Sequence, residues 1–267
     1  MASSAQPSKA KPHNSLLINN LQTLQLKPEH LDELNFYPPF EGFPKKGMEF
    51  LKRLKKNNRR EWFAKHKDEY EAHVKLPMQS LIVALQPHFA RFASEYDFHP
   101  RRSLFRVYRD TRFSKDKTPY KTHVAAHAVL RGKPKGLGAS GYYFHIEPGE
   151  VYVGAGIYMP EGEQLKKVRR AIADHSEEFL GIVQSARFKK IFGELEMKDD
   201  RLKRIPAGFE ADHPMADWLR YKHYFAGVSL PESKCYKESF VNEVARVCDA
   251  ATPLVKFLNR ALGVGGR

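Results

Sequence analysis

The hydrophobic period of this chain changes twice, and that change limits its fold more than any other feature. Up to about residue 92 apolar residues recur every three or four positions, across much of 103–158 they alternate, and from about 163 the helical spacing returns. A helix-period pattern cannot bury the face of a strand, nor the reverse, so helices come first, strands next and helices last. Within the alternating stretch, residues 141–147 and 150–158 are rich in aromatic and β-branched side chains. Pro148-Gly149, a turn signal, joins them, so they read as consecutive antiparallel strands. The expected class is α+β, a single antiparallel sheet packed with N-terminal and C-terminal helices.

Met48, Leu51 and Leu54 mark a first helix that stops at Asn57-Asn58. A second is expected over 59–74, burying Trp62, Phe63 and Tyr70. A third has Pro77 in its first turn and the stripe Leu81, Leu85, Phe89 and Phe92. Further strands are expected over 103–109, 121–131 and 224–230, and helices over 163–192 and 236–262. Residues 1–42 read as a disordered or loosely ordered tail, and 43–264 as one domain. No apolar run approaches the roughly 18 residues a membrane helix needs, so no membrane partner is expected. Cys235 and Cys248 are the only cysteines and lack CxxC spacing, which points to a cytoplasmic protein without a disulfide or zinc scaffold.

The net charge of +14 is local. Residues 45–135 hold 23 Lys/Arg against 9 Asp/Glu, and the rest of the chain holds 22 of each. A localised excess makes a directional field that favours anionic partners. At its centre, residues 106–121 carry Arg106, Arg109, Arg112, Lys115, Lys117 and Lys121 with Asp110, Asp116, Tyr108 and Tyr120. Arginine forks grip phosphate or carboxylate in pairs of hydrogen bonds, so this run is the candidate ligand site. There Arg106, Arg109, Arg112, Lys115, Lys117, Tyr120 and Lys121 would hold the anion while Asp110 orients a guanidinium. The competing reading is a solvated turn whose aspartates pair with flanking arginines at little net energy. As a strand, 103–109 would put Leu104, Arg106 and Tyr108 on one face and Phe105, Val107 and Arg109 on the other. The cations at 52–60 read as the solvated face of a helix unless they border this run in space.

His123 and His127, with His145 on the next strand, are candidate acid–base groups, as is His213. His123 and His127 are four residues apart, about 13 Å along a strand, too far to chelate one metal. A short hairpin would bring His127 to His145. No metal, no cofactor and no nucleotide-loop or nucleophile-elbow motif is expected from the sequence. The leading function is an anion-binding protein for a phosphate-bearing small molecule or single-stranded nucleic acid. The alternative is a hydrolase or transferase on a small phosphorylated or carboxylated substrate, with one of these histidines moving protons. Oligomeric state is left open.

The sequence resembles the domain of unknown function 2461 family. The resemblance rests on Phe43-Pro44, on residues 57–63 (NNRREWF), on the run from Arg106 through Arg109-Asp110-Thr111-Arg112-Phe113 to Lys121, and on Leu202-Lys203-Arg204 with Asp212-His213-Pro214. It implies one coherent domain over about 43–262 in a mainly bacterial group, and marks the central run as the family signature. It carries over no catalytic role, and it draws attention to Lys203, Arg204 and His213 as a second polar block.

Overall fold

The computed structural model describes residues 36–132, 138–196 and 200–264. Up to position 35 the expected tail lies outside these residues. Positions 37–42, also assigned to the tail, belong instead to the compact unit Tyr37–Arg267. Phe40 is the reason: it is buried, with its ring 6.4 Å from that of Phe240.

Helix α1 (Lys45–Lys56) buries the expected Met48, Leu51 and Leu54. The predicted second helix is broken into α2 (Arg60–Lys65), α3 (Lys67–Tyr70) and a π-helical turn, Glu71–Lys75. His66 interrupts it, because its Nδ1 donates to the Trp62 carbonyl at 2.7 Å and its ring stacks on Trp62 at 4.1 Å. The π turn also brings the His73 carbonyl against α1. A Cβ on Gly47 would lie 2.1 Å from that oxygen, so the helices can approach only over glycine. Helix α4 (Leu76–Phe92) follows, with its proline in the first turn.

The sheet comprises β1 (Tyr96–Asp97), β2 (Val124–Leu130), β3 (Gly141–Glu147), β4 (Glu150–Ile157) and β5 (Tyr224–Leu230), antiparallel and paired in sequence order. Short helix α5 (Pro100–Ser103) lies between β1 and β2. Between β4 and β5 the predicted single helical stretch is three helices: α6 (Gly162–Asp174), α7 (Ser176–Val183) and α8 (Ala186–Phe192). Ser185 starts the last of them by accepting the Phe188 N–H at 3.2 Å. Helix α9 (Ala216–Leu219) precedes β5, and α10 (Phe240–Leu262) closes the fold. The class is α+β, with one antiparallel sheet and helices before and after it.

The expected strand at 103–109 is not formed. After α5 the chain runs beside 119–126 with ladder-like bonds: Phe105 N–H to Ala125, Lys121 N–H to Val107 and Arg109 N–H to Pro119, at 2.8–2.9 Å. A bend at Val107 interrupts it. The bend shifts the period, so Leu104 and Val107 pack on the core and the predicted alternation of faces fails.

Alternation is strict in β3. Tyr142, Phe144 and Ile146 point inward with Val151, Val153 and Ala155 of β4, while Tyr143, His145, Glu147, Glu150 and Tyr152 occupy the outer face. Helix α10 joins two apolar clusters. Val244, Val247, Cys248, Ala251 and Val255 pack with the sheet and α1–α4, while Leu254, Phe257, Leu258 and Leu262 pack with α6–α8. No helix among the described residues is long and apolar enough to cross a membrane.

Both cysteines are buried, and burial raises both thiols, Cys235 to about 12. A thiolate-selective disulfide reagent at neutral pH should therefore titrate neither thiol in the native protein and both in denaturant. Rapid native labelling of either one would contradict this burial.

Candidate functional site

The basic run is a loop whose two aspartates each hold one arginine. Asp110 takes Arg112 in a bidentate pair, Nε to Oδ1 at 3.0 Å and Nη2 to Oδ2 at 2.7 Å. Asp116 takes Arg109 at 2.5 Å and also accepts the Thr118 N–H at 2.9 Å. These bonds hold both carboxyls down at about 2, through the Arg112 side chain for Asp110 and the Thr118 backbone N–H, then Arg109, for Asp116. Both stay ionised at neutral pH, so the loop keeps its shape there. Lys117 Nζ bonds the Thr111 carbonyl at 2.9 Å and draws the loop closed.

The base of the loop is pinned by a residue 62 positions earlier. Asn58 donates from Nδ2 to the Tyr120 carbonyl at 2.8 Å and accepts the Tyr120 N–H on Oδ1 at 3.0 Å. A side-chain amide here does what a neighbouring strand would do. The Tyr120 ring is buried and stacks on Phe63 of α2 at 4.2 Å.

This pinning creates a groove of about 540 Å³ between the start of α2 and the loop. Four cations line it, Arg59, Arg60, Arg109 and Lys117, together with Asn58, Tyr108, Thr111, Pro119 and Tyr120. None of the lining residues is acidic. Arg59 and Arg60 form no ion pair among the described residues. Of the eight residues proposed from sequence, Arg109, Lys117 and Tyr120 meet here. Arg106 and Lys115 are exposed outside it, and Asp110 with Arg112 forms its own exposed pair. Lys121 lies over the Phe105 ring at 4.9 Å, where burial lowers its pKa. The cations at 59 and 60 do border the run, the condition under which they count as more than a solvated face.

The histidines lie elsewhere. The β2–β3 register sets His127 opposite Tyr143 and Ala125 opposite His145, so His127 is a diagonal neighbour of His145 and not its direct partner. His123 instead meets His145, with ring centroids 5.4 Å apart. Burial, then His145 and Lys121, push the His123 pKa down to about 4, so it is neutral at physiological pH. Burial also lowers His145, whose Nδ1 is 3.0 Å from the Tyr143 hydroxyl. His213 accepts the Met215 N–H through Nδ1 at 3.0 Å just ahead of α9, and Lys203 and Arg204 are exposed. None of these histidines lines the groove.

One constellation escaped the sequence reading. Glu147 and Glu150 are register partners across the Pro148-Gly149 turn, and His145 lies two residues back on the same face. One ligand atom from each of the three lies within 4.8 Å of the other two. Burial and the neighbouring Glu150 raise the Glu147 pKa. The signal was present as His-x-Glu-Pro-Gly-Glu over 145–150: a strand spacing of two, then a two-residue turn.

No curated protein and no solved structure matches the chain. The family model described as conserved hypothetical protein (DUF2461) matches residues 46–257, a span that holds the pinned loop, the groove and the sheet. The chain belongs to this family.

Proposed function

We propose that this cytoplasmic protein binds a phosphate-bearing ligand, a nucleotide or single-stranded nucleic acid, in the groove between α2 and the loop. The observation that carries the reading is the lining itself: four cations from two segments about fifty residues apart, with no acid among them. Arg109 is already paired with Asp116, but Arg59 and Arg60 have no ion-pair partner among the described residues, and arginine forks suit phosphate oxygens. Tyr108 lines the same groove, its ring 5.4 Å from that of Tyr120 and 52% exposed, so a base can stack on its open face. Phe113, 95% exposed beside the Arg112–Asp110 pair, would extend that surface.

The test is fluorescence anisotropy with labelled oligo-dT and oligo-rU, repeated over a series of salt concentrations. If four phosphates are neutralised, log affinity should fall against log salt with a slope of about −3. Arg59→Ala and Arg60→Ala should each weaken binding about 10-fold and make the slope shallower by about 0.7. Tyr108→Ala should weaken it without changing the slope. Salt-independent affinity, or no binding to oligomers, nucleotides or pyrophosphate, would overturn the proposal. The alternative, a hydrolase or transferase with a histidine acid–base, has no observation in its favour, since no histidine reaches the groove.

A further inference from the structure

The geometry points to a divalent transition-metal site at the β3–β4 turn, with His145, Glu147 and Glu150 as ligands. It is separate from the groove and does not depend on it. All three side chains leave the outer face of one hairpin, two of them from directly opposed positions. Their ligand atoms fall within 4.8 Å of one another. Bonds of about 2.0–2.2 Å from a shared ion would draw them somewhat closer, a side-chain adjustment that leaves the strands in place.

A second observation concerns the imidazole. His145 Nε2 is buried and has no hydrogen-bond partner, whereas Nδ1 meets the Tyr143 hydroxyl. A metal-binding histidine has this arrangement: one nitrogen fixed by an outer partner, the other left for the ion. The turn is also held rigid, because the Gly149 N–H donates to Glu232 Oε2 at 2.7 Å. Around the site stand Ser229, 3.3 Å from Glu150 Oε1, His123 beside the His145 ring, and Lys55, the nearby positive charge felt by Glu147. Lys55 is exposed on α1 and can turn aside into water.

One imidazole with two carboxylates selects first-row divalent ions such as Mn²⁺, Fe²⁺, Co²⁺ or Zn²⁺. Calcium prefers six to eight oxygens, and magnesium keeps most of its waters. Three protein ligands would leave positions open for water or a substrate oxygen.

The experiment titrates Co²⁺ into tag-free, chelator-treated full-length protein and follows visible absorption, with Zn²⁺ as competitor. One equivalent should bind and be displaced by Zn²⁺. His145→Gln and Glu150→Gln should each weaken binding about 10–100-fold, and Tyr143→Phe about 10-fold through loss of the orienting bond. Excess Ca²⁺ and Mg²⁺ should not compete. Melting curves of the metal-free variants confirm that they fold, and Zn²⁺ should raise Tm in the wild type but not in Glu150→Gln. No one-to-one Co²⁺ signal, or an affinity unchanged in folded His145→Gln and Glu150→Gln, overturns the site.

Discussion

Asn259→Leu should destabilise the fold by about 3 kcal/mol although the new side chain is apolar and of similar size. Asn259 is 4% exposed on the inner side of α10. Its Oδ1 accepts the Ser140 N–H at 2.8 Å and its Nδ2 donates to the Tyr96 hydroxyl at 2.7 Å. That hydroxyl in turn donates to the Ser140 carbonyl at 2.5 Å, which closes a dry triangle joining the helix to β1 and to the lead-in of β3. Leucine would strand a backbone N–H and weaken the setting of the tyrosine, each costing about 1–3 kcal/mol where water cannot enter. For a domain of this size that corresponds to a Tm lower by roughly 6–12 °C. Calorimetry with urea unfolding measures it. A loss below about 1 kcal/mol would show that the triangle tolerates an open member, against the usual cost of buried unsatisfied groups.

Asn58→Ala should release the loop and cost about 2 kcal/mol, less than the Asn259 change because the site is half-exposed and water can replace part of what is lost. Both Tyr120 backbone groups lose their partner at once. The Phe63–Tyr120 stack then holds the segment with only the Arg109–Pro119 and Lys121–Val107 backbone bonds beside it. Amide hydrogen exchange across 108–121 should accelerate, while that of β3 and β4 stays as in the wild type. Asn58→Asp keeps the acceptor and loses the donor, so it should fall between the two. Unchanged exchange in 108–121 would mean that the aromatic stack, and not the amide, fixes the groove.

Where period alone decides structure, the sequence was legible. Residues 141–147 and 224–230 are strands over the expected ranges; burial alternates strictly in the first, whereas the second begins with three buried residues. The breaks were not legible. His66 interrupts a helix through its own side chain, and Val107 bends a strand-like segment without any glycine or proline to announce it. Half of the candidate site followed from local charge density. The other half, Arg59 and Arg60, needed the long-range bond from Asn58, which no spacing rule reveals. The histidine pairing turned on register, which sets Tyr143 opposite His127, while the ring that meets His145 is that of His123.

Helix α10 is the last element in the described chain and a member of both apolar clusters. The strands form a meander in which each finds its partner next to it, so the hairpins can pair as they leave the ribosome. The buried members of the first cluster run to residue 255 and those of the second to residue 262, so neither is complete before α10 is made. At translation speeds of about 5–20 residues per second, the inner faces of β3 and β4 then wait roughly 5–20 s for their cover. The sheet's inner face is therefore finished late, by a helix made about a hundred residues after the strands it covers, with Val151, Val153 and Ala155 waiting for it.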